Sequence, residues 1–414
     1  MIKILTHYFP QLLYGLPIHG GPSRQLKEFQ TYLDGKNSKY QLIGLTIDTD
    51  SSRPAGLEKI PEKKNTFYRL GIPGLKYMDG IKAFTNLNDV RQKFGAIIDA
   101  TARVIQEEKP NVVFLNAFSW TIWLMLQAIN KSGVPVVCVR SGIATKEFKI
   151  YKDFFGEDGT RVLLEMEKSV EAENFYNIFL NKFSKEVYEN EALEKKCSKS
   201  FIVPLSVAGA YLQTKPKKKK VVKRIKVGMV ARWDRIKNHQ AFLDAARTAR
   251  GKNLPMEFLS VTSIPQTNIN KEMKDEYRRL IEIINPMPVN ELIKFYKNID
   301  ILLCPSHFDV SPTVVFESLL CGTPVLISEN TGQNGLFRRF GIGDWILDFS
   351  DVDNVIKKIQ TIKPDQIPQN LISYLKENHS DEAVFGKYLE IIEKAVGSSS
   401  AAKNVSRTSI SIKS

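Results

Sequence analysis

Twice along the chain, short runs of branched apolar residues alternate with longer amphipathic stretches, and a basic run separates the two series. Strands are expected at 3–6, 40–46, 112–115, 134–139, 175–180 and 200–203, with helices such as 23–33 and 89–108 between them. After the basic run the alternation resumes, with strands at 225–230 and 256–261 flanking a helix at 240–250. Strands that alternate with helices form mainly parallel, doubly wound sheets, because each crossover needs a helix to cover a sheet face. The chain therefore reads as two Rossmann-like α/β domains facing a central cleft, over 1–208 and 225–380. A linker at 209–224 joins them, a closing helix at 381–396 follows, and the polar tail at 397–414 is expected to lack fixed structure.

The length of 414 residues accommodates two cores, and 43% hydrophobic residues fills them. A net charge of +14 would suit a nucleic-acid partner, but its distribution argues against one. Residues 215–226, KPKKKKVVKRIK, hold eight basic and no acidic side chains, and Lys403, Arg407 and Lys413 add three more near the end. No aromatic residues interleave with the run, so the stacking platforms of a single-strand binder are missing. A nucleic-acid binder relying on this run would show a steep salt dependence. The simplest reading is a solvated linker; the alternative is contact with anionic lipid head groups.

No signal peptide is read in MIKILTHYFP, a short strand and turn. Residues 111–130, NVVFLNAFSWTIWLMLQAIN, carry no charge and are long enough to span a bilayer. Asn116, Ser119 and Thr121 interrupt the stretch, which favours a strand, loop and apolar helix, although Trp120 and Trp123 would also suit a membrane surface. Cys138, Cys197, Cys304 and Cys321 have no metal spacing and read as reduced thiols of a cytoplasmic protein.

Residues 299–328 carry the chemistry. Apolar 299–304 ends at Pro305, Ser311 stands where an N-cap belongs and Pro312 where a helix begins, so a helix is expected over 312–321, stopped by Gly322. The amides near Thr313 and Val314 would then bind an anion such as a diphosphate. Asp309 and Glu317 flank that start, and a carboxylate accepts hydrogen bonds from two neighbouring hydroxyls, as a sugar or ribose presents them. Upstream, VARWDRIKNHQ places Arg232 and Lys237 after a strand, a planar fork and a compact charge suited to a diphosphate.

Together these segments resemble the retaining glycosyltransferases of family 4, which have the GT-B fold. DVSPTVVFE matches the family's E-x7-E signature with Asp309 in place of the first Glu, and LLCGTPVL matches the continuation. Arg232 and Lys237 match the donor motif G-R-x4-K-G, with Asn238 for the final Gly. Glu291, Leu292 and Tyr296 match the intervening E-L-x-x-x-Y, which implies that the backbone of 285–287, Met287 included, contacts the nucleotide base. TGQNGL at 331–336 corresponds to the loop under the donor sugar, where Gly332 permits close backbone approach.

The first half matches less fully. HGGPSRQLKEF resembles the family's opening glycine loop, where Gly20 and Gly21 would let amides approach the donor. After VPVVCV, where the family often has a His, this chain has Arg140, Ser141 and Gly142, so Arg140 and Ser141 become acceptor-side candidates, the Arg for an anionic acceptor or the departing phosphate. The usual N-G pair before the linker is also absent, VPLSVAG standing there. Asp48–Asp50, DTD, reads as a polar strand end rather than a metal motif.

The resemblance implies a nucleotide-diphosphate sugar as donor, a glycan or lipid-linked hydroxyl as acceptor and retention of configuration, in cell-surface polysaccharide or glycoconjugate synthesis. No metal or other cofactor is required, since Arg232, Lys237 and the helix amides supply the positive charge. The departures at Asp309 and at the missing His motivate a rival, a catalytically silent sugar-nucleotide-binding scaffold. The basic linker adds peripheral attachment to the inner face of a membrane as an expectation.

Overall fold

The computed structural model describes the chain except residues 17, 19, 37, 38, 63, 76–78, 171–173, 217–223, 267–269 and 411–414, and except the side chains of 399–410. The basic run falls largely on 217–223, so the expectations attached to it lie outside the described residues. The chain divides into two units, one of Met1–Leu180, Ser184–Pro204 and Val384–Ser414, the other of Asn181–Phe183 and Leu205–Ala383.

The first unit is built on an eight-stranded sheet. Its strands are β1 (Ile2–His7), β2 (Tyr40–Asp48), β3 (Gly56–Pro61), β4 (Thr66–Gly71), β5 (Val112–Leu115), β6 (Val136–Arg140), β7 (Phe175–Phe179) and β8 (Ser200–Ile202). They lie in the order β3-β4-β2-β1-β5-β6-β7-β8, and all neighbours are parallel except the edge pair β3 and β4. The second unit holds β9 (Ile225–Val230), β10 (Met256–Val261), β11 (Glu282–Ile284), β12 (Ile301–Cys304), β13 (Val325–Ser328) and β14 (Ile346–Leu347). Their order is β11-β10-β9-β12-β13-β14, parallel throughout. Counted within the unit this is the doubly wound order 3-2-1-4-5-6, whose direction reverses between the first and fourth strands. Those strands are β9 and β12, in register at Val227 and Ile301. At Gly228 an added Cβ would lie 2.4 Å from the Ile299 side chain, so glycine lets the chain entering β12 pack against β9.

Several local expectations shift for physical reasons. The uncharged stretch 111–130 is β5, a loop and the helix Trp120–Ser132, whose N-cap Ser119 accepts a hydrogen bond from the Ile122 amide at 3.3 Å. Trp120 and Trp123 are buried in the core of the first unit, which corrects the idea that they face a membrane. Among the described residues no helix is long and apolar enough to cross a membrane. The single helix expected over 89–108 is two, Leu87–Lys93 and Gly95–Glu108, because Phe94 leaves helical geometry at φ −119° and ψ 26°. The final helix runs Asp381–Ile410, through the tail expected to lack structure. No proline follows Val396 and Gly397 is the last glycine, so nothing in the tail forbids helical backbone. Its beginning packs on the first unit, where Phe385 and Tyr388 meet Phe29 and the Tyr388 hydroxyl accepts a hydrogen bond from Gln25 Nε2 at 3.2 Å.

Candidate functional site

At the carboxyl ends of β9 and β12, where the strand order of the second unit reverses, two loops are tied together. After β9 the chain turns through a short 3-10 helix, Arg235–Lys237, which Asp234 caps by accepting from the Ile236 amide at 3.0 Å. Asn238 follows in left-handed geometry at φ 55°, which glycine adopts freely and asparagine tolerates best among the other residues. Its side chain also works: Oδ1 accepts from the Ala241 amide at 3.3 Å, and Nδ2 donates to the Pro305 carbonyl at 3.2 Å. The His307 amide donates to the Ile236 carbonyl at 2.8 Å. The loop after β9 is thus fastened to the loop after β12.

Lys237 and Asp309 meet across that seam. Lys237 Nζ donates to Asp309 Oδ2, with side chains 22% and 12% exposed. Burial pushes the ammonium toward neutrality, but the Asp309 carboxylate more than offsets it and holds Lys237 above its ordinary value. The other carboxylate oxygen, Oδ1, accepts from the Ser311 amide at 3.1 Å. The Asp309 main chain is fixed on both sides, its amide donating to Asn330 O at 3.1 Å and its carbonyl accepting from the Gly332 amide at 2.8 Å. Arg232, by contrast, has a side chain 66% exposed, with its guanidinium 3.5 Å from Asp234.

The helix of this site is Thr313–Leu320, and its N-cap is Pro312, not Ser311. Pro312 keeps an extended ψ of 112°, and the Ser311 hydroxyl stands within 3.4 Å of Gln333 Nε2 instead of capping the first turn. Pro312 supplies no side-chain cap, and the amide end of a helix attracts anions. Glu317 lies one turn inside, only 2% exposed, and its Oε2 accepts from the Tyr296 hydroxyl at 2.9 Å. Burial and the neighbouring Glu317 charge both push the Tyr296 phenol well up, so Tyr296 stays a donor. At Gly332 an added Cβ would lie 1.9 Å from Val310 O, so glycine is needed there for the chain's own loop packing. Met287, in the loop after β11, is half-buried against the core of this unit.

Two residues of this site carry no signal in the sequence. His239 is buried, stacks on Trp233 at 4.4 Å, and its Nε2 donates to the Arg232 carbonyl at 2.8 Å. Burial lowers its pKa to about 4, so the ring is neutral and its proton belongs on Nε2. Gln333 is buried and donates from Nε2 to Pro312 O at 3.1 Å, while its Oε1 has no partner among the described residues. Nothing in the pattern separates this histidine from a surface one; TGQNGL points to the loop but not to its glutamine.

The remaining candidates belong to the first unit. Gly20, at φ 94°, precedes the helix Gly21–Gly35, which has no side-chain cap, and a Cβ at either glycine would meet open space. Ser141 is half-buried and its hydroxyl donates to Asn116 O at 3.1 Å. Arg140 corrects its expectation. It ends β6 with no exposed surface, its Nε donates to Asn177 Oδ1 at 2.8 Å, and its guanidinium lies 4.4 Å from the Tyr188 ring centre. Neighbouring strands place it against Asn177 on β7, inside the unit, and an acceptor could not reach it there without opening the core. Asp48, at the end of β2, is likewise engaged, accepting from Tyr14 and Arg53 at 2.6 and 3.1 Å. Among the described residues no group of three or more His, Cys, Asp or Glu side chains is gathered to hold a metal ion.

Residues 212–379 match the family model described as glycosyl transferases group 1. No curated protein sequence matches the chain. The fold is shared with sucrose-phosphate synthase from Thermosynechococcus elongatus, at TM-score 0.72 and 12% identity over 96% of this chain and 100% of that one. A UDP-forming α,α-trehalose-phosphate synthase from Burkholderia xenovorans, in complex with glucose-6-phosphate, aligns at TM-score 0.63 and 14% identity over 95% and 99%. An E. coli trehalose-6-phosphate structure bound with UDP-2-fluoro glucose aligns at 0.63 and 10% over 95% and 99%. At such identities the likeness is one of fold.

Proposed function

Residues 212–379 are a glycosyl transferases group 1 domain, the fold is GT-B and the protein is a glycosyltransferase; from that premise we propose that it transfers a sugar from a nucleotide-diphosphate donor to a glycan or lipid-linked hydroxyl, with retention and without a metal. The observation that carries this reading is the seam at the carboxyl ends of β9 and β12. Lys237 bonds there to Asp309, which shortly precedes the helix Thr313–Leu320, and Arg232 lies on the same loop as Lys237. Open parallel sheets bind ligands where their strand order reverses, and an amide end with two cations suits a diphosphate.

In this scheme Arg232, Lys237 and the amides at Thr313 and Val314 stabilise the diphosphate as negative charge grows on it during bond cleavage. Glu317, held by Tyr296, accepts from ribose hydroxyls. The proton of the attacking hydroxyl passes to a donor phosphate oxygen on the same face, so no dedicated base is needed. The relatives in the comparison that carry UDP or a UDP sugar in their names favour uridine as the base. Residues 217–223 would bring a cytoplasmic enzyme to an anionic membrane and to an acceptor in cell-surface glycan synthesis.

The test is a thermal-shift and calorimetry screen of uridine, guanosine and adenosine diphosphates with their glucose conjugates, followed by the same screen with chelator. A nucleotide bound by the native state raises its stability. One base should shift melting while the others do not, and chelator should leave the shift intact. A screen in which no nucleotide shifts melting overturns the donor assignment.

A further inference from the structure

Resting on the reading that Lys237 meets the donor diphosphate, we infer that Asp309 is a positioning residue for Lys237 and not the group that grips the transferred sugar. Both oxygens of this carboxylate are engaged. Oδ2 accepts from Lys237 Nζ, and Oδ1 accepts from the amide of Ser311, two residues on. That second bond is an Asx turn, which a short side chain closes easily. Glutamate, the residue the family signature has here, carries one more methylene and cannot close the same ring. The replacement therefore fixes the carboxylate on its own loop and leaves Oδ2 aimed at the lysine. Hydrogen bonds from Asp309 N to Asn330 and from Gly332 N to Asp309 O hold the main chain beneath it, so the lysine is set against a rigid support.

The charges around Lys237 make Asp309 decisive. Burial disfavours the ammonium, and Arg232 from the same loop disfavours it further. Cys304, at the end of β12, is a thiol whose pKa burial pushes up to about 11, so it is neutral at physiological pH. His239, which begins the helix His239–Gly251 just after Lys237, is neutral as well. Asp234, on the same loop, accepts from the Ile236 amide and lies 3.5 Å from Arg232, so Asp309 is the anion bonded to Lys237, and it keeps the lysine charged and in place until a diphosphate oxygen competes for Nζ.

The test uses the full-length enzyme labelled with ¹³C at lysine Cε, the Lys237 resonance being identified by its loss in Lys237→Arg. Titration of that resonance is compared among wild type, Asp309→Asn and Asp309→Glu without nucleotide, and uridine diphosphate affinity is measured by calorimetry between pH 7 and 9.5. In Asp309→Asn the Lys237 titration should fall by about 1 to 3 pH units, the usual effect of an adjacent opposite charge. Its nucleotide affinity should then decline over this pH range while that of wild type stays level. Asp309→Glu should fall between the two. Equal titration in wild type and Asp309→Asn, or full retention by Asp309→Glu, overturns the inference. Lys237→Ala supplies the separate control: undiminished nucleotide affinity in that variant removes the diphosphate reading itself, whatever the Asp309 variants do.

Discussion

Arg232 in the second unit and Arg140 in the first both stand at the carboxyl end of a parallel strand, and both look in sequence like cations awaiting an anion. Arg232 leaves β9 on a loop and keeps its guanidinium largely in solvent, 3.5 Å from Asp234. Arg140 is the last residue of β6, is fully buried, and donates to Asn177 on the neighbouring strand. The difference is two residues of loop. A side chain within the strand is committed to a sheet face by the pleat, whereas one beyond its end is free to point at a ligand.

The largest expected effect breaks that pair apart. Arg140→Leu should lower unfolding free energy by about 3 to 5 kcal/mol, since it leaves Asn177 Oδ1 without this donor and removes a buried charge that favours ionised Glu167. Arg232→Leu should change stability by less than about 0.5 kcal/mol. Urea unfolding of both variants checks this, and equal losses would erase the contrast.

Each unit also carries a histidine with a depressed pKa, His7, half-buried at the end of β1, and His239, buried after β9, both lowered to about 4 by desolvation. Because the unfolded chain binds these protons near pH 6.5, stability is complete above that pH and is lost as pH falls toward 4. The loss approaches about 3 kcal/mol per histidine. His239→Gln should flatten this acid limb for the second unit and leave that of the first, read from unfolding curves between pH 4 and 7. An unaltered limb would mean that other groups set it.

Glu317 sharpens the comparison from the side of binding. Glu317→Ala should weaken uridine diphosphate binding by about 1.5 to 3 kcal/mol, the worth of hydrogen bonds to a charged group. It should also reduce stability, because the buried Tyr296 hydroxyl loses its acceptor. Tyr296→Phe separates the two, costing stability of about 1 kcal/mol with less effect on nucleotide. Unchanged affinity in a folded Glu317→Ala protein would leave Glu317 with Tyr296 alone. The smallest effect concerns the basic run at 215–226. Co-sedimentation with anionic vesicles should fall at high salt, and when Lys217 to Lys220, Lys223 and Arg224 are changed to Gln. Equal, negligible binding to anionic and neutral vesicles would make the run a spacer.

The sequence by itself determined the alternation of strands and helices, because apolar runs of four to six residues bounded by Pro, Gly or Asn have few alternatives to a parallel sheet. Strand 225–230 and strand 256–261 stand where that reasoning put them. It also singled out Lys237 and Asp309 as candidates beyond the ends of β9 and β12, and Glu317 in the helix that follows, because their residue types suit anions and hydroxyls. Weakly patterned edges were not legible: β3 sets two adjacent charges, Glu58 and Lys59, between Leu57 and Ile60, and β14 is two residues long. The tertiary structure decided which polar groups remain available to a ligand. Pairing of Lys237 with Asp309, of Glu317 with Tyr296, of Arg140 with Asn177 and of His239 with the Arg232 carbonyl joins residues between 7 and 72 positions apart. A buried polar group must find its partner wherever packing brings one, and chain spacing does not specify that meeting.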